Sequence, residues 1–293
     1  MSVQYYSPGS FTEALQVLER NSNYTLLAGG TDVVPRLNLR QVKGLQGLIY
    51  LGNIVEMKKI VEHNEHIFIG ALVTHACIAA SELIKQKAYN VWYASYHMGT
   101  PAIRNVGTIG GNLVNASPAG DSCVALLAAG ALASIKSLHE NRLVPIKEFF
   151  VDKGKTVLKP GEILYGVYLP KAATGIKKGC SYQRIGTLKG SSTAIINIAV
   201  EIEQDTDGMC RACRIGAGAV ASTPVRLYSL EEIFVDKRIN WNLIEQAANE
   251  VDAHINPIDD TYATAWYRRK VIKVLLKRAL AEASGLASEE KEV

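Results

Sequence analysis

The chain has 293 residues, a formal charge of +4 and 48% apolar residues, enough to build the cores of two domains. The charge excess is mild and the basic residues are not clustered, which argues against a nucleic-acid binder. No apolar run approaches the roughly 18 residues of a membrane span. The first residues lack the pattern of a secretion leader, and the five cysteines are odd in number and mostly scattered, so a reducing cytoplasm is the expected location.

In chain order, Ser10 and Glu13 read as a capping box, followed by Phe11, Ala14, Leu15 and Leu18 at helical spacing. A short strand over 24–28 delivers a glycine loop, Ala28-Gly29-Gly30-Thr31-Asp32. Residues 47–51 and 67–71 are further buried-strand candidates. Thr74 is placed to cap a helix, and another helix is expected over about 88–98. Gly99, Thr100 and Pro101 break it. A second glycine loop follows, from Arg104 through Gly107, Thr108, Ile109, Gly110 and Gly111 to Asn112, and continues by Ser117 to Asp121. Residues 124–135 are rich in Ala and Leu and belong in a core. A turn at 159–162 leads into a strand over 163–169.

The stretch 170–179 carries Pro, Gly and Lys, and the domain boundary is placed there. This gives a first domain over 1–175, a second over 176–285 and a frayed tail over 286–293. Strands are expected over 182–185, 194–200 and 210–220, with a hairpin at Asp205-Thr206-Asp207-Gly208. Helices are expected over 241–251 and 262–283. In the last, Ala263, Tyr267, Val271, Val274, Leu275 and Ala281 form an apolar stripe opposite Arg269, Lys270, Lys273 and Lys277.

The paired glycines point to chemistry. Glycine lets amide N–H groups approach a ligand closely, and successive amides facing one way form an anion-binding nest. Two such loops far apart in sequence suit the two sides of one diphosphate. Other candidates are weaker. The six histidines show no metal-ligand spacing. Cys210 and Cys213 form a lone C-x-x-C in a strand-like run, where their side chains are expected on opposite faces. Gly216-Ala217-Gly218 lacks the third glycine and following helix of a Rossmann fingerprint.

The two glycine loops, with Arg214-Ile215-Gly216-Ala217-Gly218 continuing to Pro224-Val225-Arg226 and a closing helix around Tyr267-Arg268-Arg269, resemble the flavin-binding medium subunit of the molybdenum hydroxylases. This is the family of the xanthine and carbon monoxide dehydrogenases. The resemblance covers nearly the whole chain. It implies an α+β protein: a two-subdomain FAD-binding fold of the vanillyl-alcohol-oxidase (PCMH) type, then a small α/β C-terminal domain. It also implies an oxidoreductase subunit that works with a molybdopterin large subunit and a 2Fe-2S small subunit. Electrons would pass from iron–sulfur clusters through FAD to NAD or another acceptor, during oxidation of a purine or another N-heterocycle. The alternatives are a free-standing FAD oxidoreductase and a non-catalytic flavin-binding scaffold.

The resemblance also implies site residues. Leu26, Leu27, Ala28, Gly29, Gly30, Thr31, Asp32 and Val33 lay amides on the FAD diphosphate. Thr31 adds a hydroxyl, while Asp32 is expected to turn away and cap the backbone. Thr108, Ile109, Gly110, Gly111 and Asn112 form the second contact. Asp121 matches an acidic residue holding the adenosine sugar, with helix capping as its structural alternative, and Ser117 lies nearby. Met98 stands where relatives place an aromatic, Leu164 is an adenine contact, and Tyr182, Gln183 and Arg184 approach the flavin ring, where many relatives carry Lys.

Overall fold

The computed structural model describes residues 3–21, 23–42, 44–186 and 193–289. A small parallel sheet opens the chain. Its strands are β1 (Gln4–Tyr6), β2 (Thr25–Leu27) and β3 (Gly47–Tyr50), with β3 in the centre. Helix α1 (Phe11–Arg20) connects the first two. Its cap is a variant of the expected box: Ser10 Oγ accepts from the Glu13 amide at 3.2 Å, while Glu13 accepts from the Gly9 amide at 2.8 Å. Phe11, Ala14, Leu15 and Leu18 are its buried face.

The second sheet is antiparallel, in the order β4 (Ile60–Glu62), β5 (His66–Gly70), β8 (Ile163–Pro170), β6 (Leu132–Lys136) and β7 (Asn141–Pro145). Six helices lie between β5 and β6: two short ones at His75–Ala79 and Glu82–Lys87, then α3 (Tyr89–His97), α4 (Pro101–Val106), α5 (Ile109–Asn115) and α6 (Asp121–Ala128). Every residue of α6 is buried, as its apolar composition requires.

The third sheet is also antiparallel: β9 (Lys177–Gly186), β10 (Ala194–Gln204), β11 (Cys210–Gly218) and β12 (Val225–Arg226). The predicted turn at 205–208 joins β10 to β11, with Asp205 Oδ1 accepting from the Asp207 and Met209 amides. One face of this sheet, with Ile196, Ile198, Val200 and Ile202, packs on α7 (Trp241–Glu250) and α8 (Ala265–Ser284). The other face lies on α6, and Tyr182 and Ala199 join the first core. Gly216 is what allows that approach. A Cβ there would stand 2.5 Å from the Val124 carbonyl oxygen, so the sheet rests directly on helix backbone. The glycines of Gly216-Ala217-Gly218 therefore serve packing.

Several expectations change. Cys210 and Cys213 are both buried in the same cluster, not on opposite faces. The ladder pairs Glu203 with Ala212 and Gln204 with Cys210, leaving Arg211 as an extra residue. This bulge reverses the alternation. In α8 the buried face is Arg268, Ile272, Leu275, Leu276, Ala279 and Leu280, whereas Tyr267 and Val274 are exposed. Arg268 is tolerated inside because it donates to the carbonyls of Ile195 and Ile258 and pairs with Asp260 at 2.7 Å. After Gly285, Leu286–Glu289 is a further helical turn where a frayed tail was expected; residues 290–293 lie outside the described residues. Among the described residues no helix is long and apolar enough to cross a membrane.

Candidate cofactor cleft

A cleft of about 460 Å³ runs between the first glycine loop, α2 (Val33–Asn38), the start of α5 and strand β8. The first loop is built as the sequence suggests. Strand β2 ends at Leu27, and Gly30 takes φ +72°, the left-handed turn that glycine makes without penalty. Beyond it the amides of Gly29, Gly30, Thr31 and Asp32 meet no acceptor among the described residues. Four consecutive unpaired donors at one wall of a cleft form a cradle for an anion.

The second glycine stretch is helical, where a loop was expected. Thr108 caps α5, its Oγ1 accepting from the Gly111 amide at 3.1 Å. The Ile109 and Gly110 amides donate to Val73 and Ala71, and the Asn112 amide to Thr108. These four amides are therefore used within the fold. Gly110 is a packing glycine, since a Cβ would stand 2.7 Å from the Ala71 carbonyl oxygen. Gly111 and Asn112 face the cleft. Gly29 locks the two stretches together: a Cβ there would overlap the Val106 carbonyl oxygen.

Of the residues named from the sequence, Leu26, Ala28, Gly29, Gly30, Thr31, Asp32, Val33, Met98, Thr108, Gly110, Gly111, Asn112 and Leu164 line the cleft. Leu27 and Ile109 are not in the lining, and Ile109 is fully buried. Asp32 occupies the capping position of α2 but makes no capping bond. Instead it pairs with Arg36 at 3.3 Å, a correction to the expectation that it turns away to cap backbone. Ser117, Asp121, Tyr182, Gln183 and Arg184 are not in the lining.

Asp121 is buried between the two halves of the chain. Its Oδ1 accepts from Tyr182 Oη at 2.8 Å, Asn197 Nδ2 at 2.9 Å and Arg184 Nε at 3.1 Å. Burial, then the Asp121 carboxylate, push the Tyr182 phenol well above its ordinary range. The capping alternative does not hold, because Gly120 is the cap residue of α6 and Asp121 makes no capping bond. Strand alternation sends Gln183 the other way, to Glu282 of α8 at 2.8 Å.

Arg36 and His75 also line the cleft and were missed from the sequence, since neither belongs to a glycine motif. Arg104 donates to the carbonyls of Met98 and Gly99 at 3.1 and 2.9 Å, fixing the turn at one end of the cleft. His75 is 2% exposed, with Nδ1 3.4 Å from Ser95 Oγ. Burial lowers its pKa to about 4, and Arg104 adds to the effect. The imidazole therefore stays neutral at pH 7. The unfolded chain binds a proton near pH 6.5 that the fold refuses until about 4, so stability falls with pH across that window. Between pH 7 and pH 5 the loss from this residue should be about 2 kcal/mol. Denaturant unfolding of the parent and His75→Gln at both pH values checks this: the variant should show a loss smaller by that amount, and parallel losses would refute it.

The model of the FAD binding domain in molybdopterin dehydrogenase matches residues 1–172. That of the CO dehydrogenase flavoprotein C-terminal domain matches 184–283. The chain belongs to the FAD-binding subunits of the molybdenum hydroxylase family. The glyceraldehyde dehydrogenase medium chain of Sulfolobus acidocaldarius is 30% identical over 95% of this chain and 97% of its own. Subunit alpha of the 6-hydroxypseudooxynicotine dehydrogenase complex of Paenarthrobacter nicotinovorans is 30% identical over 99% of this chain and 97% of its own. Among solved structures, carbon monoxide dehydrogenase from Hydrogenophaga pseudoflava superposes with a TM-score of 0.90 at 27% identity, covering 97% of both chains. The cofactor is FAD, and the chain is a component of an oxidoreductase. The fold is of the expected class, mixed helix and sheet, with an FAD-binding domain followed by the flavoprotein C-terminal domain.

Proposed function

We propose that the FAD diphosphate lies against the amides of residues 29–32, with the sugar and ring portions running past Gly111, Asn112 and Leu164. The observation that carries this reading is the row of four unpaired amides at the wall of the cleft. In this reading the chain divides into a domain over 1–175 and another over 176–285, and Tyr182 and Arg184 reach the ring region through the interface at Asp121. Arg184 is a fixed cation there, suited to an electron-rich ring. Arg104 holds Met98 at the end of the cleft, and His75 offers a neutral imidazole in its wall. Bound FAD supplies exchange between single electrons from iron–sulfur clusters and the pair taken by NAD or another acceptor.

The partners in this reading are a molybdopterin large subunit and a 2Fe-2S small subunit, consistent with relatives named as medium chains. The substrate class is a purine or other N-heterocycle, in keeping with relatives named nicotine 6-hydroxylase, xanthine dehydrogenase and caffeine dehydrogenase. The complex would work in the cytoplasm.

The purified chain should be yellow. Dithionite should bleach it and an acceptor should restore the colour. Purines, aldehydes and N-heterocycles should leave the spectrum unchanged until the other subunits are added. Bleaching by substrate in the chain alone would overturn the subunit reading in favour of a free-standing oxidoreductase.

A further inference from the structure

The charge inventory of the cleft is unusual for a place that takes a diphosphate. Among the described residues that line it, Arg36 is the one Lys or Arg and Asp32 the one carboxylate. His75 contributes no charge at neutral pH. Side-chain charge therefore sums to zero in a cleft whose proposed occupant is a dianion. The single cation is moreover tied to the single anion, through Arg36 Nη1 and Asp32 Oδ2 at 3.3 Å. That pair is loose. Both side chains are about half exposed, at 52% and 45%, and no other hydrogen bond or ion pair engages either side chain among the described residues. A long, half-exposed, singly bonded pair contributes little to stability. Asp32 is also the residue at a capping position that does not cap.

We infer that Arg36 is the charged ligand of the cofactor diphosphate, and that Asp32 is its placeholder, holding the guanidinium at the cleft until the phosphates take it over. The inference rests on the FAD reading above and goes beyond it by naming the charge that neutralises the dianion. A guanidinium donates two parallel N–H groups and so fits phosphate oxygens better than it fits the single carboxylate contact seen here. Exchange of Asp32 for phosphate leaves Arg36 paired in both states, so the cleft avoids presenting an unpaired cation without cofactor or an unpaired dianion with it. The four amides of residues 29–32 supply direction, and Arg36 supplies charge.

The test uses the full chain stripped of flavin and titrated with FAD, ADP and riboflavin. The first two carry a diphosphate and riboflavin carries none. Arg36→Met should raise the dissociation constants of FAD and ADP about tenfold and leave riboflavin within about twofold. The salt dependence of ADP binding should flatten in the same variant. Arg36→Lys, which keeps the charge, should recover most of the affinity. Asp32→Asn should tighten FAD and ADP about threefold in the parent background and give no gain in Arg36→Met. An Arg36→Met protein that binds FAD and ADP like the parent overturns the inference. So does an equal loss for riboflavin, because Arg36 would then act by shaping α2. A gain from Asp32→Asn that persists without Arg36 overturns the placeholder role, since Asp32 would repel phosphate directly. If the parent binds neither FAD nor ADP, the FAD reading of the cleft fails, an outcome separate from all of these.

Discussion

Gly29→Val should give a chain that no longer retains flavin and unfolds at markedly lower denaturant. The added Cβ would overlap the Val106 carbonyl oxygen and would stand 2.6 Å from the carbonyl carbon and 3.1 Å from Gly107 Cα. All three atoms are backbone, at the junction of α4 and α5, so no side chain can swing aside. Relief requires the loop at 28–32 to move off that junction, which turns the four free amides away from a common point. Overpacking of this kind costs roughly 1–3 kcal/mol or more, and the anion cradle is lost with it. Gly111→Ala is the matched control. Its nearest contact would be Thr108 Oγ1 at 3.0 Å, and alanine suits a helix better than glycine. Stability should hold while affinity for FAD declines. Co-purified flavin absorbance and urea unfolding read both effects. Full occupancy with unchanged stability in Gly29→Val would mean that the two glycine stretches do not meet as described.

Local signals were legible where short-range chemistry decides the outcome. Ser10 and Thr74 cap helices because an oxygen at that position meets an amide three residues on, and Asp205 to Gly208 makes a hairpin turn from its own side chain and backbone. The first glycine loop was legible for the same reason, since a strand followed by Gly-Gly must turn. The second was misread because glycine is a poor helix former. Tertiary contact overrides that preference: the amide of Gly110 donates to Ala71 and the residue packs against that backbone, while Thr108 supplies the cap. Arg211 hid the common face of Cys210 and Cys213, because one extra residue in a strand reverses every later side chain and no local pattern announces it. Arg268 was absent from the expected apolar stripe, since its burial depends on Asp260 and two distant carbonyls. Arg36 and His75 were invisible as site residues because they reach the cleft by folding, not by motif.

Asp121→Ala should destabilise the chain by about 3–5 kcal/mol, and by the same amount with and without FAD. The carboxylate oxygen accepts from three groups of the third sheet, Tyr182, Arg184 and Asn197. Its removal leaves the largely buried Arg184 guanidinium without the Asp121 carboxylate, Tyr182 Oη with only the longer bond to the Asp121 carbonyl at 3.3 Å, and Asn197 Nδ2 with Tyr182 Oη and the Ala119 carbonyl at 3.1 and 3.3 Å. The amide has little slack, since Asn197 Oδ1 already lacks a partner among the described residues. Tyr182→Phe removes one donor and should cost about 1–2 kcal/mol, because the remaining two still engage the carboxylate. Asp121→Asn keeps the shape and loses the charge, so it should fall between these. The resemblance to relatives implies a contact between Asp121 and the cofactor, and the two roles predict different thermodynamics. A latch between α6 and the third sheet acts on the chain whether or not FAD is present, whereas a ligand residue acts only on the complex. Unfolding of Asp121→Ala with and without FAD separates them. Equal losses establish the latch. A loss confined to the FAD-bound form would assign Asp121 to the cofactor and reduce the three hydrogen bonds to a resting arrangement.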